Sequence, residues 1–275
     1  MAKKALNEMS FLDHLEELRW LLVRSSAAVV IMGIVSYFFA DFIFSDLIFG
    51  PTDPSFITYR FFCEASHYFG FADSICITEL NFIIQNTQME GQVNIFVWVC
   101  ITAGFILAFP YILWELWKFI SPALYEKEKK NAKLFIFVAS ILFFLGVLFG
   151  YYVIVPMSVN FLATFSISSV VKNQFSIDSY VSMVKTAVIA CGLYFELPII
   201  IYFLTKLGLV GPNFLRKYRK YALVVVLILS AIITPPDIAS QVIVAIPILI
   251  LYQVSIYISK VVIKNQKRKE KEQHV

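Results

Sequence analysis

The chain has 275 residues, 59% of them hydrophobic, 16% aromatic and 15% charged, with a formal net charge of +4. Soluble domains average about 25% charged residues, so a water-soluble enzyme, a disordered chain, a nucleic-acid binder and a small disulfide scaffold all fit poorly. The apolar residues are grouped: runs of 24, 38 and 22 residues without Asp, Glu, Lys or Arg follow Glu90, Lys133 and Asp237. A bilayer core takes about 20 apolar residues to cross, and only helices or closed barrels satisfy their backbones in lipid. No alternating barrel pattern occurs. The fold class is an all-α polytopic membrane protein.

In chain order, the first feature is an amphipathic helix. Ser10-Phe-Leu-Asp13 resembles a capping box, and Phe11, Leu15, Leu18 and Leu22 recur as one apolar stripe. Asp13, Glu17 and Arg24 share another face. The expectation is a helix lying along the membrane surface before a first span near 21–40. Its charges are either simply solvated or part of a binding surface. No cleavable signal peptide precedes it.

An outward loop follows over 41–92, with seven acidic residues against one arginine. Pro51 lies near its start. Cys63 and Cys76 become a disulfide if the space outside is oxidising. Cys100 and Cys191 fall in spans and read as packing residues.

The second span, near 93–114, has Pro110 close to its end. The link to the third, 115–133, holds five basic residues and the carboxylates Glu126 and Glu128. Those carboxylates either neutralise neighbouring lysines or receive a guanidinium, a pairing that can be bidentate and charge-assisted. Gly146 and Gly150 in the third span, 133–155, either allow close helix contact or reflect the ordinary glycine content of membrane helices.

The fourth span, 179–204, carries Lys185 and Glu196, with Pro198 bending the helix. An ionisable group such as Glu196 turns inward or toward water, as a functional polar cavity or a structural hydrogen bond. The fifth span, 219–234, has only about 16 uncharged residues, or about 24 Å, against a core of about 30 Å. It forms a short hairpin with the sixth, 239–259, through Thr234-Pro-Pro-Asp237, in which Pro235 and Asp237 shape the turn and Asp237 caps the last helix. Gln241 follows it. The domain reading is one transmembrane domain over 1–260 and a basic, disordered tail over 261–275.

Twenty of the 23 basic residues fall in 1–24, 115–133, 205–220 and from 260 onward. Six spans with both termini in the cytoplasm follow from the positive-inside rule. No nucleotide-binding, nucleophile–base or zinc-protease motif is present, and His14, His67 and His274 are too scattered for a metal site. No cofactor is expected.

Four stretches carry a family resemblance: His14-Leu-Glu-Glu17-Leu-Arg19, Phe119-Ile-Ser-Pro-Ala-Leu-Tyr125 with Glu128, Phe195-Glu-Leu-Pro198, and Thr234-Pro-Pro-Asp-Ile-Ala-Ser-Gln241. In order and separation they resemble the signature stretches of the TatC family, the multispan receptor subunit of the twin-arginine protein translocase. The resemblance implies a cup- or glove-shaped bundle with a short final hairpin in the bacterial inner membrane. It implies binding of the twin-arginine signal peptides of folded cargo at Glu17 and Glu128, with Arg19 and Phe119 at matching positions. It also implies contacts to single-span TatA/TatB-type subunits at Glu196 and Gln241, self-association, and export driven by the proton gradient. Pro51 and Asp237 match family positions too. The loop over 52–92 is longer than in compact members, which suggests a distinct cap clamped by Cys63 and Cys76. The competing classes are a proton-coupled secondary transporter using Glu196, which predicts repeated halves that the sequence lacks, an intramembrane enzyme, and a pure scaffold.

Overall fold

Helix α1 (Phe11–Phe38) runs without interruption, because it contains no proline and one glycine, Gly33. The amphipathic segment and the first span are therefore one rod, not a surface helix that bends into the membrane. The computed structural model describes residues 11–68, 76, 80, 82–121, 132–168, 172–233 and 238–273. A helical turn (Ala40–Phe42), a π turn (Ile43–Ile48) and a 3-10 turn (Gly50–Thr52) lead to α2 (Ile57–Tyr68). Strand β1 (Ile83–Gln85) precedes α3 (Gly91–Ile120) and α4 (Ala132–Phe149). After a π turn at Gly150–Ile154 come α5 (Val155–Thr164), β2 (Gln174–Ser176), α6 (Ile177–Phe195) and α7 (Leu197–Lys206). The chain closes with α8 (Pro212–Lys217), α9 (Arg219–Ile233) and α10 (Ile238–Gln273).

Five segments among the described residues are long and apolar enough to cross a membrane: His14–Phe38, Gly91–Ile120, Lys133–Thr164, Ile177–Lys206 and Gln241–Gln266. Helix α9 has only 15 residues, about 22 Å at the helical rise, so its length alone does not qualify it.

Three boundaries differ from the sequence reading. The third span continues past 155 to Thr164, because the π turn before Pro156 rearranges the ladder and leaves proline in the first turn of α5, where its missing N–H costs nothing. Pro110 lies well inside α3 rather than near its end. The segment expected as a disordered tail from 261 is helical to Gln273. There Val262 is buried and the Gln266 side-chain amide donates to the Lys206 carbonyl at 3.4 Å, which fastens the extension.

The chain divides into two units, Met1–Ile43 with Val93–Ile141, and Phe44–Gln92 with Leu142–Val275. In the first, a Cβ on Gly104 would stand 2.5 Å from the Gly33 nitrogen and 2.6 Å from the Val29 carbonyl oxygen. Backbone thus touches backbone between α1 and α3, as small residues permit in membranes. In the second, Gly146 of α4 and Gly150 of the following π turn do the same against α6: Cβ atoms there would lie 2.5 Å from the Cys191 oxygen and 2.8 Å from the Ala187 oxygen. This favours the close-contact reading of that glycine pair.

Within the second unit, β1 and β2 pair in parallel, Ile83 with Gln174 and Gln85 with Ser176. Helix α7 packs on α10 through a small cluster of Ile201, Leu215 and Ile256. The Thr205 hydroxyl donates to Ser259 at 3.0 Å, pinning α7 to α10, and the Tyr252 hydroxyl donates to the Leu215 carbonyl at 2.8 Å, pinning α8 to α10.

Candidate functional site

The end of the first unit that carries Glu17 is assembled from two helices. The His14 ring stacks on Phe119 with centroids 4.4 Å apart, which seats the start of α1 against the end of α3. Glu17 lies three residues on, hence close to the same face as His14, and is exposed. Arg19 is exposed as well, about 140° further round the helix from His14. Glu128 lies outside the described residues.

Beneath this surface is a seam that the sequence reading missed. Glu115 is only 3% exposed, and its carboxylate accepts from Lys118 Nζ at 2.6 Å and from the Arg24 guanidinium at 3.3 Å. Lys118 also lies over the Trp114 ring, 5.6 Å from its centroid. The i,i+3 spacing of Glu115 and Lys118 was a visible signal. Arg24, 91 positions away in sequence, was not. Two cations on one buried carboxylate lock the register of α1 against α3, one helical turn below Phe119.

Glu196 is the contrasting carboxylate. It stands at the break between α6 and α7, 6% exposed. Its backbone is well used: the N–H donates to the Leu193 carbonyl, and its carbonyl accepts from Ile199 and Ile200. Its side chain is not: Oε1 is buried with no hydrogen-bond partner among the described residues. Pro198 in the first turn of α7 explains the break, since the helix restarts where an N–H is dispensable. Lys185 is too far along α6 to meet Glu196 and instead interacts electrostatically with Asp178.

Gln241 is half-buried and donates through Nε2 to the Leu227 carbonyl at 3.0 Å, tying α10 to α9. Pro235 and Asp237 lie outside the described residues. Glu17 and Phe119 thus belong to the first unit, where His14 links their helices, and Glu196 and Gln241 belong to the second.

The segment between α1 and β1 is built around Pro51, which is fully buried. The Tyr59 hydroxyl lies 2.9 Å from the Pro51 carbonyl and 3.1 Å from that of Pro156, donating to one at a time. Burial pushes the Tyr59 phenol well above its ordinary pKa. Cys63 and Cys76 are joined in a disulfide with Cα atoms 4.5 Å apart, and His67 Nε2 lies 3.6 Å from the Cys76 sulfur. Cys100 and Cys191 are free and buried. At the loop's start the Ser55 N–H donates to Asp53 Oδ1 at 2.8 Å, which holds that carboxyl below its usual range.

Comparison with known proteins matches residues 13–247 to the family described as Sec-independent protein translocase protein (TatC). The Sec-independent protein translocase protein TatC of Blattabacterium sp. subsp. Periplaneta americana is 45% identical over 265 residues, 96% of this chain and 100% of that protein. TatCy of Bacillus subtilis is 35% identical over 94% of this chain and 92% of its own length. A crystal structure of the twin-arginine translocase receptor TatC superposes with a TM-score of 0.70 at 32% identity, covering 90% of this chain and 99% of that one.

Proposed function

Because this chain belongs to the TatC family of Sec-independent protein translocase proteins, we propose that it is the receptor subunit that binds twin-arginine signal peptides at Glu17 and Glu128. The observation that carries this reading is the His14–Phe119 stack, which sets exposed Glu17 beside the end of α3, from which the chain continues to Glu128. A guanidinium meeting a fixed carboxylate there makes short, charge-assisted and potentially bidentate hydrogen bonds. Phe119 adds apolar surface, and the adjoining seam of Arg24, Glu115 and Lys118 keeps the two helices in register.

The chain crosses the bacterial inner membrane six times in this reading, with α9 as a short fifth span and both termini cytoplasmic, as its basic residues favour. Its body is one transmembrane domain. Glu196 carries a buried oxygen with no partner among the described residues, and a polar donor arriving from the span of a TatA/TatB-type subunit would satisfy it once the α6–α7 break opens. Gln241 can join that contact only by giving up its bond to Leu227. Self-association gathers several receptors, and the proton gradient drives export.

The test is site-specific crosslinking in cells to a twin-arginine signal peptide. Glu17→Ala and Glu128→Ala should each lower crosslinking at least about tenfold, near 1.4 kcal/mol, at unchanged protein levels. Unchanged crosslinking and export in both variants would reject the assignment.

A further inference from the structure

The outward loop contains a helix whose surface divides into three sectors. At 100° per residue, Thr58, Tyr59, Phe62, Cys63 and Ser66 of α2 fill one arc. All five are buried or half-buried, and outside this arc only Ala65 is half-buried. Thr58 donates to the Tyr152 carbonyl at 2.6 Å, and Tyr59 reaches Pro51 and Pro156, so this arc faces the protein. The next arc holds Arg60, Glu64 and His67, all exposed and all polar. The third holds Ile57, Phe61 and Tyr68 with Ala65. These large side chains are 64%, 66% and 87% exposed.

A helix in water has no use for that third arc, which is a contiguous apolar strip on a segment that spans nothing. Its position supplies the explanation. Tyr152, the residue that receives Thr58, lies about 28 Å along the helix from Lys133 at the helical rise, against a hydrocarbon core of about 30 Å. With Lys133 held at one membrane boundary, α2 is fastened at the level of the opposite one, and the rest of the Lys133–Thr164 helix projects beyond the core. A helix at that level meets protein on one side, lipid on the second and water on the third. The three arcs match those three surroundings in order around the helix.

We propose that α2 is an interfacial helix: Ile57, Phe61 and Tyr68 insert into the boundary between headgroups and acyl chains, while Arg60, Glu64 and His67 remain in water. The occupant of the apolar strip is phospholipid. Aromatic residues at the interface and an amphipathic helix lying in its plane are the two recurrent solutions for such a position. The disulfide from Cys63, at the edge of the protein-facing arc, joins the middle of the helix to Cys76 on the side away from the lipid. The proposal requires the chain to span a membrane but is indifferent to whether it binds signal peptides.

An environment-sensitive fluorescent amino acid placed at 57 or 61, and separately at 60 or 64, tests it. The full chain is reconstituted in vesicles of phosphatidylcholine and phosphatidylglycerol. Probes at 57 and 61 should be quenched several-fold more by a nitroxide near the top of the acyl chain than by aqueous iodide. Probes at 60 and 64 should show the reverse. Equal iodide quenching at all four positions would overturn the proposal by placing the strip in water. Protection of 57 and 61 from both quenchers would overturn it by showing that protein, a second copy or a partner, covers the strip. Using two positions per arc separates a local perturbation at one probe from the pattern.

Discussion

Two carboxylates are buried in this chain to nearly the same degree, and they are treated in opposite ways. Glu115, 3% exposed, is gripped by Lys118 and Arg24; Glu196, 6% exposed, keeps an oxygen with no donor among the described residues. A buried polar group without a partner costs on the order of 1–3 kcal/mol, so the second arrangement is a standing expense for the free chain. Glu115 reads as mortar between α1 and α3. Glu196 has no such role between helices, which is why it is proposed above as the partner contact. Burial alone does not tell these two acids apart; the state of their hydrogen bonds does.

The contrast can be broken most directly at Glu115. Glu115→Lys would place three cations in the seam and should lower stability by about 3 kcal/mol, read as thermal unfolding of the purified chain in detergent. An unfolding curve like that of the parent would mean the seam bears no weight. Arg24 and Lys118 are half-exposed, so Glu115→Gln should cost less, about 1 kcal/mol, and solvent screening should shrink that cost as salt rises.

Tyr59 sharpens the comparison with a neutral group that is buried and satisfied. Tyr59→Phe should destabilise by about 1 kcal/mol. Because burial raises the phenol's pKa in the folded loop, the folded form holds its proton where the unfolded chain, titrating near pH 10, releases it. Its stabilising contribution is complete below about pH 10 and declines as pH rises above it. Alkaline unfolding followed in parent and variant should therefore show a shallower decline for Tyr59→Phe.

The smallest stability effect is expected at Glu196. Replacement by Leu removes an unsatisfied group and should leave stability within about 1 kcal/mol of the parent, or raise it. The same variant should recover less single-span partner on co-purification while crosslinking to signal peptide persists. A large loss of stability would show Glu196 to be mortar as well.

Much of the fold could be read from where charges are missing. Stretches without ionisable residues located the second, third and last spans, because lipid tolerates few charges and helices need about 20 residues to cross it. The helix ends were harder, since a proline after a π turn or in a restarted first turn leaves helical continuity intact. The first helix was read as two pieces because amphipathic and apolar segments differ in composition, although nothing between them breaks a helix.

Of the candidate residues, Glu17 and Glu196 stood out in the sequence as ionisable groups on an amphipathic helix and inside a span, while Phe119 was named only through the family resemblance. Glu115 was hidden in plain view as the edge of an apolar run, its main tertiary partner 91 positions away. The three arcs of α2 also escaped notice. The aromatic content of the loop carried no reading in the sequence; in the structure two of its rings, Phe61 and Tyr68, face outward. Glu128, Pro235 and Asp237 lie outside the described residues.

The small parallel ribbon has a consequence for threading. Segments that hydrogen-bond to one another occupy the same side of a membrane, so the chain between β1 and β2 makes an even number of passages. Two spans lie in that interval, Gly91–Ile120 and Lys133–Thr164. Three backbone pairings thus fix a parity on which the basic residues of the loops have no bearing. A chain inserted with either span left out would lose the ribbon along with its topology.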